Sequence, residues 1–95
     1  MNDCAVIGGG AVGLSIAYEL SRHGLNPLVI ERGQCGQEAS WAGGGILPAA
    51  VFREEDTAYE KLAGLSADLH RQWAEDLKSE TGIDNGYHRC GEIFF

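Results

Sequence analysis

Six residues near the start of the chain, Gly8-Gly9-Gly10-Ala11-Val12-Gly13, limit the fold more than any others. They follow a short, nearly continuous apolar run from Asp3 to Ile7, the pattern expected of a parallel strand covered on both faces. Beyond them Val12, Leu14, Ile16, Ala17 and Leu20 recur at helical spacing between Ala11 and His23, and Gly24 stands where a left-handed helix cap belongs. Pro27 to Glu31, with Leu28-Val29-Ile30, reads as a second buried strand. Strand, helix and strand in about thirty residues predict a right-handed crossover with two parallel neighbouring strands, so the fold class is α/β.

The glycines match the pattern G-x-G-x-x-G, in the strand-to-helix context that gives this pattern its meaning. Gly8 permits the tight turn, Gly10 lets a pyrophosphate approach the backbone, and Gly13 allows the helix to pack close to the strand. The helix start then faces the phosphates with N–H groups that lack intrahelical partners and about half a positive charge. Glu31 closes the second strand, seventeen residues separating it from Gly13, where a carboxylate accepts hydrogen bonds from the two hydroxyls of an adenosine ribose. The same carboxylate would repel a 2′-phosphate, which disfavours NADP. Arg32 either lies beside the adenosine or faces water. These residues point to an ADP-containing dinucleotide without choosing between NAD and FAD.

Farther along, Gly33 to Gly45 is rich in glycine, serine and alanine, as backbone laid against something would be. Thr57 and Glu60 have capping-box spacing, and Tyr59, Leu62, Leu65, Leu69, Trp73 and Leu77 follow at three- and four-residue steps, predicting a helix from about residue 58 to about Thr81. Gly82 suits its C-terminal cap. Tyr59 and Trp73 on that stripe are expected to be core residues rather than a stacking platform. Asp84-Asn85-Gly86 is a turn signal, and Ile93-Phe94-Phe95 looks like the beginning of a strand. Residues 1–82 therefore read as one domain and residues 83–95 as the first strands of another.

Composition sets the limits. A chain of 95 residues buries only roughly 60–65% of the surface it exposes when unfolded, so the core will be thin. A net charge of −7, without a basic stripe, would repel a phosphate backbone and argues against nucleic acid as a partner. No apolar run approaches the ~18 residues of a membrane span, and Ala5-Val6-Ile7 is too short for a signal-peptide core, so neither membrane nor secretion is indicated. Cys4, Cys35 and Cys90 fit neither a disulfide framework nor a metal knuckle, and a reducing cytoplasm is the simplest home. Cys4 reads as a small core hydrophobe, while Cys35 sits in a polar loop. The clustered carboxylates Glu54, Glu55 and Asp56 read as a solvated face, and no metal site is expected.

The segment Glu31 to Leu47 contains Glu31-Arg32-Gly33, Gly36, Ala39-Ser40-Trp41 and Gly43-Gly44-Gly45-Ile46, and it resembles the flavin-side segment of the D-amino-acid oxidase superfamily. Within that superfamily it is most similar to the glycine oxidases of thiamine biosynthesis. The resemblance covers essentially the whole chain and implies the N-terminal part of a Rossmann-like FAD-binding domain, a parallel sheet with helices, entering a substrate-domain sheet at the C-terminus. Carried over position by position, it implies FAD contacts at Ala11 and Val12, at Glu31 and Arg32, at Ala39 and Ser40, and, nearest the flavin, at Gly44, Gly45 and Ile46. Ser40 would offer its hydroxyl to phosphate oxygen, and Trp41 is expected to cover the loop.

The activity implied for the complete enzyme is removal of hydride from the amine-bearing carbon of glycine or a similar small amino acid. The imine formed is hydrolysed, and oxygen reoxidises the flavin to yield peroxide. Sarcosine oxidases and D-amino-acid dehydrogenases share this opening, so the substrate stays open. The flavin carries the chemistry, so no catalytic residue is expected here, and His23, His70 and His88 receive no role. The resemblance makes the chain the front of a longer enzyme, inactive alone. The rival readings are a non-catalytic dinucleotide-binding module, which would associate with itself or a partner to cover its apolar faces, and an NAD-dependent dehydrogenase.

Overall fold

In the computed structural model, which describes residues 1–91, the order of elements is β1 (Cys4–Ile7), α1 (Ala11–Arg22), β2 (Pro27–Ile30) and α2 (Ala58–Thr81). They divide between two compact units, Met1–Gly45 and Ile46–Phe95.

In the first unit β1 and β2 pair in parallel, Cys4 opposite Pro27 through Ile7 opposite Ile30. Both ends of the pairing are fixed by hydrogen bonds. Asn26 N–H donates to Asp3 Oδ2 at 2.7 Å and Asp3 N–H to the Asn26 carbonyl at 2.9 Å, while Gly8 N–H donates to the Ile30 carbonyl at 2.8 Å. The crossover helix α1 ends as its sequence predicts: Gly24 has φ +81°, Leu25 N–H bonds the Leu20 carbonyl and Gly24 N–H the Ser21 carbonyl. That is a Schellman motif, and it satisfies carbonyls the helix leaves open.

The strands were expected to be covered on both faces, and they are covered on one. Cys4, Val6, Pro27 and Val29 are half-buried, while Ile7, Leu28 and Ile30 are 78%, 44% and 48% exposed. The reason is geometric: one crossover helix lies on one side of its two strands, and this unit contains a single helix. The core is correspondingly thin, with Ala17 of α1 its one buried hydrophobic residue among those described. Cys4 is half-buried there and Cys35 is exposed.

In the second unit α2 begins with a complete capping box. Glu60 N–H donates to Thr57 Oγ1 at 3.3 Å, and Thr57 N–H and Oγ1–H both donate to Glu60 Oε2, at 2.9 and 2.7 Å. These bonds, the Thr57 hydroxyl's foremost, hold the Glu60 carboxyl below its ordinary value. The helix ends at Gly82, φ +75°, whose N–H reaches the Lys78 carbonyl. Thr57→Ala removes the two bonds made by the Thr57 hydroxyl, keeping only the backbone N–H bond to Glu60 Oε2, and is expected to cost about 1 kcal/mol of this unit's stability, measurable as a lower denaturant midpoint with an unchanged slope. A midpoint equal to the parent's would show that the cap contributes nothing.

The expectation that the apolar stripe of α2 is core is corrected. Tyr59 is 80% exposed, and Leu62, Leu65 and Leu69 are exposed as well; Trp73 and Leu77 are half-buried. What α2 buries is Gly64, where the chain at Val51-Phe52 comes so close that an added Cβ would lie 2.7 Å from Phe52 Cα. Periodicity marks a face as apolar without saying what covers it. The turn at Asp84-Asn85-Gly86 forms as predicted: Gly86 has φ +76° and Asp84 Oδ1 accepts its N–H at 2.9 Å. Residues 83–91 contain no strand, and Ile93-Phe94-Phe95 lie outside the described residues. Among the described residues no helix is long and apolar enough to cross a membrane, and no group of His, Cys, Asp and Glu could hold a metal ion.

Candidate cofactor site

The turn between β1 and α1 is shaped by three glycines with three different duties. Gly8 has φ +103°, a conformation that side-chain-bearing residues rarely adopt. Gly10 has ordinary extended backbone, φ −85° and ψ −172°, and is needed for space, since an added Cβ would sit 3.1 Å from Ser40 Oγ. Gly13 lies against the turn itself: a Cβ there would overlap the Gly8 carbonyl oxygen and touch Val6 Cγ1. Helix and strand therefore approach as closely as the fingerprint implies.

Gly9, given no duty by the motif, is the hub of the turn. It is buried; its N–H donates to Glu31 Oε2 at 2.7 Å and its carbonyl accepts from Gly36 N–H at 2.8 Å. Glu31 Oε1 in turn accepts from Gly33 N–H at 3.1 Å. These backbone donors, Gly9 first and Gly33 second, hold the Glu31 carboxyl below its ordinary range, so it is ionised at neutral pH. Two accepted bonds leave the carboxylate further lone pairs, the number two ribose hydroxyls require.

At the opposite end, α1 starts with no capping side chain at Gly10 and no acidic residue in its first turn. The contrast with α2 and its complete box is informative. Where α2 satisfies its first N–H groups internally, α1 presents the positive end of its dipole, with Ser40 beside it. Ser40 Oγ accepts the Ala11 N–H at 2.8 Å, which leaves the hydroxyl proton to donate elsewhere. Gly8, Gly10, Glu31, Glu38, Ala39 and Ser40 border one open recess of about 200 Å³. An anion at the helix start and a diol at Glu31 match its two ends, so the donor set fits a nucleoside diphosphate.

The remaining predicted residues are distributed less tightly. Val12 is 75% exposed on the first turn of α1. Arg32 faces outward and makes a bidentate ion pair with Glu38, its Nε 3.0 Å from Oε1 and an Nη 2.7 Å from Oε2. Gly44 meets no neighbour that a side chain would crowd, Gly45 has φ +75°, and Ile46 belongs to the second unit and is 88% exposed. Trp41 does not cover the loop: it is 73% exposed, in a turn closed by its own backbone bonds from Trp41 N–H to the Glu38 carbonyl and from Gly43 N–H to the Ser40 carbonyl. Gln34, Gly36, Gln37 and Glu38, which border the recess, and Gly9, which bonds Glu31 and Gly36, are the residues that sequence reasoning missed. A larger recess of about 350 Å³ in the second unit lies among Arg71, Lys78, Asp84 and Arg89, where Lys78 is paired with Asp84 and Arg71 with Glu75. It coincides with no predicted site residue.

Comparison with known proteins identifies the family. Residues 3–95 match the family model described as FAD dependent oxidoreductase. The chain belongs to that family. Its members' cofactor is FAD, which settles the choice the fingerprint had left open. Among relatives, glycine oxidase of Pseudomonas aeruginosa is 41% identical over 86 residues, 90% of this chain and 24% of that protein. The bifunctional protein ThiO/ThiG of Nostoc sp. is 37% identical over 94% of this chain and 14% of its own length. The solved structure of glycine oxidase from Bacillus cereus superposes with a TM-score of 0.81 at 33% identity, over 93% of this chain and 23% of that one. The chain thus spans about a quarter of the length of the glycine oxidases it matches.

Proposed function

We propose that the whole protein is an FAD-dependent oxidase of glycine or a similar small amino acid, and that residues 1–82 supply the ADP side of its cofactor site. The observation that carries the reading is the recess joining a helix start that has neither a capping side chain at Gly10 nor an acid in its first turn to an ionised Glu31. FAD, when bound, supplies the oxidation of the amine carbon to an imine, with peroxide as the product of oxygen. Gly8 and Gly10 give the pyrophosphate room, Val12 offers it a backbone N–H at the helix start, Ala11 lies beside it with its own N–H held by Ser40 Oγ, Gly13 packs the helix against the turn, and Ser40 donates its hydroxyl to it, with Ala39 alongside. Glu31 accepts from the ribose and Arg32 flanks it. Gly44, Gly45 and Ile46 run toward the flavin, and residues 83–95 lead into the substrate domain. The relatives named as glycine oxidases and the ThiO/ThiG protein support glycine as substrate and thiamine biosynthesis as setting. Three unpaired cysteines support a cytoplasmic location.

The test is peroxide formation by the FAD-loaded whole protein. Glycine is the expected substrate; failure of glycine, sarcosine and small D-amino acids alike would remove the oxidase reading, and turnover only with an artificial electron acceptor would make the protein a dehydrogenase. A second reading, a non-catalytic module that self-associates, is favoured by the exposed sheet face at Ile7 and Ile30. A folded monomer in sedimentation counts against it.

A further inference from the structure

We propose that Glu38 is a positioning residue for the dinucleotide site, coupling its ribose end to its phosphate end through Arg32 and Ser40; the inference rests on the FAD reading above. Glu38 touches both ends without belonging to the fingerprint. Its side chain is gripped by Arg32 in two parallel hydrogen bonds, 3.0 and 2.7 Å, across six residues of loop. Two such bonds fix the plane of the carboxylate, which a single contact does not. Arg32 follows directly on Glu31, whose own carboxylate is anchored by Gly9 and Gly33. One end of the connection is therefore stationary.

The other end is set by the Glu38 main chain. Its carbonyl accepts from Trp41 N–H at 3.1 Å and from Ala42 N–H at 3.4 Å, forming the turn that carries Ser40. Ser40 then meets the Ala11 N–H at 2.8 Å, at the first residue of α1. Pinning the Glu38 side chain thus pins the residue on which that turn is built. Hydrogen bonding by Glu38 also raises the Arg32 pKa, consistent with a guanidinium committed to this partner. The competing view is that a pair this exposed, 82% and 58%, is a surface ion pair of no consequence.

A double-mutant cycle on the whole protein separates the two views. FAD dissociation constants of the apoprotein are measured by flavin fluorescence for the parent, Glu38→Gln, Ser40→Ala and the double variant. Glu38→Gln is expected to weaken FAD roughly three- to tenfold, and to weaken it no further once Ser40 is alanine, because residues acting through one another are not additive. Unchanged or tighter binding by Glu38→Gln, or losses that multiply in the double variant, would overturn the proposal. Glu38→Asp, one methylene too short for the bidentate contact, gives the same reading should Glu38→Gln not fold. If the parent apoprotein binds no FAD, the FAD reading fails and this proposal with it; if Ser40→Ala and Glu31→Gln both bind FAD as the parent does, the placement of the dinucleotide at these residues fails and the proposal falls with that. If those two weaken binding and Glu38→Gln does not, only the role of Glu38 is lost.

Discussion

Gly13→Ala is expected to abolish FAD binding and to remove most of the stability of the first unit. A Cβ at this position would overlap the Gly8 carbonyl oxygen and approach the Gly8 carbonyl carbon to 3.1 Å. Neither atom can rotate away, because both belong to a turn whose neighbours are tied down: Gly8 N–H to the Ile30 carbonyl, Gly9 N–H to Glu31. Relief must come from moving α1 off β1. Overpacking of this kind costs typically 1–3 kcal/mol when side chains can adjust, and more is expected where backbone meets backbone. With Ala17 the one buried hydrophobic residue described, little else holds α1 in place. Gly33→Ala is the control, since its added Cβ meets nothing within 4 Å and no left-handed φ restricts it. Thermal unfolding of the whole protein, followed by circular dichroism with FAD binding measured separately, should show a large loss for Gly13→Ala and a shift within about 2 °C for Gly33→Ala. Equal behaviour of the two variants would mean that helix and strand do not approach as described.

Features decided by neighbouring residues were legible in the sequence. The Schellman stop at Gly24, the capping box of Thr57 and Glu60, the αL cap at Gly82 and the turn at Gly86 each depend on a few adjacent positions, and each forms where expected. The candidate site was legible in two ways: Gly8, Gly10 and Glu31 from the fingerprint, and Ala39 and Ser40 from the family resemblance, border one recess, while Gly13 packs against the turn. Pairings across loops were not. No spacing rule joins Arg32 to Glu38, and Gly9, the x of the first G-x-G, shows its importance only through its burial and two hydrogen bonds. The three consecutive glycines were the one available signal. Nor does an apolar pattern reveal whether a second layer exists to cover Ile7, Ile30 or Tyr59, because the hydrophobic effect specifies that a face be removed from water and not by what.

Glu31→Gln is expected to weaken FAD binding by roughly 10- to 100-fold, the range for losing charge-assisted hydrogen bonds. The substitution keeps size and removes half the acceptors. Both carboxylate oxygens accept backbone N–H groups, from Gly9 and from Gly33, and an amide can present an oxygen to only one of them. Whichever way it turns, its nitrogen faces a donor, and at buried Gly9 an unsatisfied N–H is costly. The ribose hydroxyls lose an anionic acceptor at the same time. The same bonds set a pH dependence: because the folded-state pKa of Glu31 is lowered, the tether is fully present above the ordinary glutamate value of 4.5 and is lost as pH falls through the lowered one. Parent affinity should therefore be flat near neutrality and drop in acid, whereas Glu31→Gln should lack that component of the drop. Measuring both quantities separates the two duties of Glu31. Weaker FAD binding with unchanged unfolding of the apoprotein places its main effect at the ribose; lower stability with unchanged affinity would reduce it to a tether of the glycine turn and withdraw the ribose assignment.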